Sequence, residues 1–175
     1  MSTVGGSCSS GSLSSSRTYK GTDDSDGSVH FVTVTGWANT TGGANKQLEL
    51  GEITHYNGNG LGLRNSDWDT PYPGNDANES TSPEHAIDND DRFDVVMFDF
   101  GDDVVDLSRV TTGWYSQDSD ISVLAYTGVL DPTDSSGADY IGDREAWWNS
   151  DLDKGQDLTS HGWSLIGNHD LDNGT

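Results

Sequence analysis

Of the 30 acidic residues in the chain, 25 are Asp and only 5 are Glu, and this choice constrains the fold more than the charge itself does. Asp is a poor helix former that closes turns by bonding its own backbone, whereas Glu would serve solubility equally well and helices better. The Asp residues fall in Gly-, Asn- and Ser-rich connections between short apolar runs. Such punctuation predicts strands joined by tight turns. Asp also offers a short, stiff carboxylate to a hard cation, so the pattern equally suits a calcium-loaded, secreted β protein.

The runs between the connections have the period of strands. Residues 29–37 (VHFVTVTGW) alternate with period two and are rich in β-branched and aromatic side chains, which predicts a strand with both faces partly covered. Residues 93–100 (FDVVMFDF), 104–110 (VVDLSRV) and 121–127 (ISVLAYT) read the same way, with weaker runs at 48–53, 61–63 and 163–167. Residues 65–83 are too poor in apolar residues to be core, and no long amphipathic helix is apparent, although 144–148 could form one turn. Short strands at intervals of roughly ten residues with Gly/Asp turns predict an all-β, antiparallel sandwich of jelly-roll type.

The chain length favours one core, and six Trp, six Tyr and four Phe can fill it. The expected organisation is a Ser/Gly-rich arm over residues 1–16 and a single domain over 17–175. The arm has no apolar run and no basic start, so it is not an intact secretory signal. Cys8, the only cysteine, lies in it. No intramolecular disulfide is possible, and Cys8 is either a solvated thiol or a link between two chains.

The formal net charge is -22, and such a chain repels itself unless bound cations or a salty medium relieve it. A halophilic surface would show the same composition. No basic stripe exists to displace counterions from phosphate, which argues against nucleic acid and anionic membrane as partners. No stretch approaches the roughly 18 apolar residues of a membrane span, so no membrane insertion is expected.

Residues 60–128 carry the runs GLGLRN, SPEHAIDNDDRFDVVMFDFG, VDLSRVTTGW and DSDISVLAYTG, and upstream stand SRTYKG and VTVTGWANT. Together these resemble the bacterial exosortase-dependent surface proteins, whose precursors carry a PEP-CTERM sorting tail. The likeness runs from about Ser16 to Gly167. It implies a secreted or cell-surface domain of an exopolysaccharide-producing bacterium and supplies no catalytic residues. After the WSLIG run the sequence shows no Pro-Glu-Pro tail and no closing apolar helix, so the anchor is expected to be cleaved or absent.

Within the central block, Asp88, Asn89, Asp90, Asp91 and Asp94 concentrate oxygen ligands, and Asp118 and Asp120 precede a strand that could pack nearby. Calcium needs six to eight oxygens, which a loop entering a strand can provide. The candidate metal ligands are therefore Asp88, Asn89, Asp90, Asp94, Asp118 and Asp120, against the alternative of turn capping and solvated charge. The spacing is not that of an EF-hand, since Arg92 stands where a third acid would. Partial matches at 24–27, 149–153 and 168–172 read first as turns. Trp147 and Trp148 could stack sugar rings or pack in a core or subunit contact. The histidines show no zinc spacing, and no nucleophile elbow or phosphate-binding loop is present. The expected function is a non-catalytic extracellular structural protein, calcium-stabilised and self-assembling into a filament or matrix through its arm. The alternatives are an exopolysaccharide-binding module and a small extracellular hydrolase.

Overall fold

The computed structural model describes residues 2–4, 12–41, 47–58, 60–65, 87, 93–107, 109–113, 121–143 and 156–169. They form nine strands: β1 (Ser2–Val4), β2 (Ser16–Thr22), β3 (Val29–Thr41), β4 (Gln47–Leu50), β5 (Glu52–Tyr56), β6 (Gly60–Arg64), β7 (Asp94–Asp99), β8 (Ile121–Tyr126) and β9 (Trp163–His169). A 3-10 turn (Ile141–Asp143) and the short helix α1 (Gln156–Ser160) complete the described elements. All strand pairs are antiparallel. The expected all-β class therefore stands, in three pieces: a five-stranded sheet and the pairs β5–β6 and β8–β9. Jelly-roll connectivity is not part of what these pairings describe.

The long strand β3 organises the main sheet. Its β-branched and aromatic residues favour extended backbone, and its two edges are used differently. One edge takes β2 over residues 29–35 and then β4 from Trp37 onward, while the other takes β7 over residues 33–38. Gly36 lies at the handover, where its carbonyl accepts the Gly51 N–H at 2.9 Å. The register on β4 shifts between Ala38 and Thr41. Asn39, which opens the N-glycosylation-type triplet Asn39-Thr40-Thr41, is buried there, and its side-chain oxygen accepts the Phe93 N–H at 2.6 Å. It positions the entry to β7 and is closed to glycan attachment.

Period-two alternation gives the sheet two different faces. On one, Trp37, Leu48 and Met97 pack with Ile141 and Leu158, and Phe93, Val95, Leu124, Tyr140 and Trp163 close the cluster. On the other, Ala38 packs with Ile53 and Leu63 of the β5–β6 hairpin, with Leu61 and Val96 beside them. The sheet is thus covered by β8–β9 and the short helical turns on one side and by β5–β6 on the other. Gly51 makes the corner from β4 into β5, and a Cβ there would meet the Arg64 carbonyl at 2.8 Å. The run at 48–53 is consequently two strands in two layers.

The last residues of the expected arm belong to this framework. Ser14 exchanges backbone hydrogen bonds with Ile53 at 3.1 and 2.7 Å, and the buried Arg17 donates from Nε to the Ile53 carbonyl at 3.0 Å and from Nη2 to Ser12. Burial of a guanidinium is tolerated because carbonyl and hydroxyl oxygens satisfy its fork of donors. β1 pairs with β2 of its own chain, with Val4 opposite Lys20. Residues 104–107, 109 and 110, within the run expected as a strand, differ from the sequence expectation. They form no strand and, among the described residues, no hydrogen bond, because strand propensity needs a partner edge to become structure.

Candidate functional site

Five of the described Asp residues close turns. In the β2–β3 connection the Asp23 carboxylate accepts the Ser25 N–H (2.7 Å) and hydroxyl (2.6 Å), and Asp26 accepts the Ser28 N–H at 2.8 Å. Gly27, at φ 76°, closes the connection by donating to the Asp23 carbonyl. The segment after β8 repeats the device: Asp131 accepts the Thr133 N–H and hydroxyl, and Asp134 accepts those of Ser136. Asp99 accepts the Gly101 N–H at 2.8 Å. These hydrogen bonds favour the ionised form, so Asp23, Asp26 and Asp134 are held below the ordinary carboxylate range, Asp23 and Asp26 by the serine hydroxyl first and Asp134 by the Ser136 N–H first. Glu, one methylene longer, does not close such turns. The recurring Asp-x-Ser/Thr spacing was the sequence signal for them.

Of the candidate calcium ligands, Asp94 is described: it opens β7 and stands opposite Ala38. Asp88, Asn89, Asp90, Asp118 and Asp120 lie outside the described residues, as do Trp147, Trp148, Cys8 and residues 144–148. Among the described residues no three His, Cys, Asp or Glu side chains converge as a metal-ion group. The partial match at residues 24–27 lies within the Asp23–Ser28 turn, and Asn168 of the match at 168–172 is a β9 residue that accepts the Ser122 hydroxyl across the β8–β9 pair at 2.7 Å.

One polar array was missed from sequence. Ser28 Oγ lies 2.7 Å from His30 Nε2, and His30 Nδ1 lies 2.8 Å from an Asp103 carboxylate oxygen. The Ser28–His30 spacing on one strand is legible, but Asp103 joins from 73 positions away. The order of atoms is that of a Ser-His-Asp relay. The surroundings oppose nucleophilic work. The Ser28 N–H is already taken by Asp26 and the Gly27 N–H by the Asp23 carbonyl, so neither is aimed at a developing oxyanion. Asp103, above all through its hydrogen bond, and then Asp23 and Asp26 raise the His30 pKa above its ordinary 6.5. The array instead clamps the turn after β7 to the start of β3.

A second cluster joins β8 to the segment that follows it. The Tyr126 hydroxyl donates to the Leu130 carbonyl and the Asp139 carboxylate, and His161 Nδ1 lies 3.8 Å from the same carboxylate. Desolvation first, then Asp139, raises the Tyr126 pKa. A Cβ at Gly162 would meet the Tyr126 ring at 2.7 Å, and the ring packs edge-on against Trp163. The arrangement locks a corner. No family model, curated protein or solved structure matches the chain, so the likeness to exosortase-dependent surface proteins rests on its sequence runs alone.

Proposed function

We propose that the chain is a non-catalytic extracellular structural protein, stabilised by calcium, that self-associates into a filament or matrix. The observation that carries this reading is the apolar surface left on strands of so acidic a chain. Phe31 on β3 is 56% exposed and Phe98 on β7 is 49% exposed, and Leu165 and Ile166 are exposed on β9. Apolar side chains on exposed sheet faces and edges are contact surfaces in waiting. Calcium would screen the -22 charge that otherwise holds copies apart. Light scattering and negative-stain imaging at fixed high ionic strength, with millimolar calcium or chelator, test the reading. Calcium-dependent species above the monomer are expected, and a monomer in every condition refutes self-association.

The N-terminal arm offers one route to assembly, by exchanging β1 onto the β2 edge of a neighbour. Deleting residues 1–11 spares the Ser12 and Ser14 anchors, so the truncated domain should stay folded while arm-dependent assembly is lost. The hydrolase alternative would use Ser28 as nucleophile, and turnover of p-nitrophenyl acetate above that of Ser28→Ala would establish it. No such turnover is expected.

A further inference from the structure

Two open strand surfaces of this chain match each other. Residues 104–110 carry a strand-type sequence, yet among the described residues 104–107, 109 and 110 make no hydrogen bond. Their apolar side chains face solvent: Val104 is fully exposed, Leu107 is 60% exposed, and Val105 and Val110 are exposed as well. The second surface is β7, which among the described residues is paired on the β3 side alone. Among the described residues no strand lies along its outer edge, and Phe98 is exposed beside it.

One antiparallel register suits the two surfaces: with Val105 opposite Phe98, Leu107 falls opposite Val96 and Arg109 opposite Asp94. Apolar residues then meet apolar residues on one face, and an opposite-charge pair closes the end, as cross-strand stabilisation requires. Among the described residues the partners do not meet within one chain, and Asp103 is bonded instead to His30 on β3.

We propose that residues 104–107, with Arg109 and Val110 beyond them, are a donor strand that pairs antiparallel with the outer β7 edge of a second copy of the chain. The surfaces on one copy are different, so the contact is head-to-tail and propagates into an open polymer where the rotation does not close. Main-chain hydrogen bonds supply the affinity, and Val105 and Leu107 set the register. The inference rests on the self-association proposed above and names a junction separate from the N-terminal arm.

Cysteine trapping tests it, in full-length protein carrying Cys8→Ser. Phe98→Cys protein is mixed with Val105→Cys protein under mild oxidation in millimolar calcium at high ionic strength, with Val129→Cys replacing Phe98→Cys as the control. Disulfide-linked Phe98→Cys/Val105→Cys heterodimers well above the control mixture are expected, and equal yields overturn the donor-strand pairing. The two substitutions in one chain should give a ladder of linked multimers, whereas an intrachain disulfide in a monomer shows pairing in cis and overturns the exchange. Leu107→Pro, at an exposed position with no hydrogen bond among the described residues, should keep the melting temperature and reduce the species above the monomer well below the wild-type level. If wild type assembles and Leu107→Pro assembles equally, the donor strand is wrong while self-association stands. If wild type stays monomeric, both fail.

Discussion

Gly36→Ala is the sharpest test of how the layers meet. Gly36 is buried at the handover on β3, and a Cβ there would lie 2.7 Å from Ile53 Cδ1 and closer still to Leu63 Cδ1. Carbon contacts are comfortable at about 3.5–4.0 Å. Ile53 and Leu63 are both fully buried, so neither can swing into solvent to make room. Overpacking of this kind costs about 1–3 kcal/mol, and an overlap with two confined side chains belongs toward the upper end. The loss of unfolded-chain entropy on replacing Gly by Ala returns about 0.4–1 kcal/mol. The net expectation is a destabilisation of about 2 kcal/mol, or roughly 4–8 °C in melting temperature for a domain of this size. Thermal unfolding at fixed calcium and ionic strength measures it. The control is Leu63→Ala, which by itself should cost about 2–5 kcal/mol. In that background the Leu63 overlap is gone and Ile53 has a cavity to shift into, so the loss from Gly36→Ala should shrink markedly, a coupling that a double-mutant cycle isolates. An equal loss in both backgrounds, or no loss in wild type, would refute the close-approach account.

Arg17→Met should lower stability by about 1.5–3 kcal/mol, the worth of hydrogen bonds to a charged group, and should expose the chain before Ser16 to limited proteolysis; protection equal to wild type would show that Arg17 is not the tie. The acidic turns predict loss of stability in acid. Asp23, Asp26 and Asp134 have folded pKa values lowered from 3.8, so their contribution is present above 3.8 and disappears as pH falls through the folded values. Carboxyl NMR titration should show the Asp134 pKa rising in Ser136→Ala, and an unchanged titration would refute the turn assignment. His30 has the opposite sign: its folded pKa is raised from 6.5, so its contribution is full below 6.5 and is lost as pH rises through the folded value. A melting temperature that declines over that range in wild type, but not in His30→Gln, is the expected result. Calcium at about 100 times its dissociation constant should add about 2.7 kcal/mol over chelator at equal ionic strength. Asp94→Asn should diminish that gain if Asp94 is a ligand, and no calcium-specific change in wild type would make the acids turn and surface residues.

The strands that were legible are those whose alternating side chains pack on at least one face. Runs 29–37, 93–100 and 121–127 alternate β-branched and aromatic residues because both faces of β3 and β7, and one face of β8, pack on something. β2 was not legible, since its sequence SRTYKGT holds its place through hydrogen bonds to β3 and through one buried arginine rather than through apolar alternation. The run VVDLSRV illustrates the converse: propensity is local, whereas a partner edge is a property of the whole fold. Gly51 divides LELGEI between two layers, a corner that composition alone does not locate. The meaning of the Asp bias was half visible. Asp-x-Ser/Thr pairs mark turn closure directly, but the bond from Asp103 to His30 depends on how β7 is laid against β3, a long-range fact.

The unequal edges of β3 also fix an order of events as the chain emerges. β2 and β4 are its sequence neighbours, and β5–β6 follows immediately, so one edge and one face can form from local contacts that close quickly. The other edge waits for β7, far later in the chain. Until residue 99 is available, the longest and most β-prone strand of the protein presents a bare row of backbone donors and acceptors, the condition under which nascent sheets pair wrongly with one another. The density of carboxylates in the β2–β3 turn, at the end of that strand, then acts before the native state exists. By keeping half-built chains mutually repelling, it delays association until β7 has filled the edge.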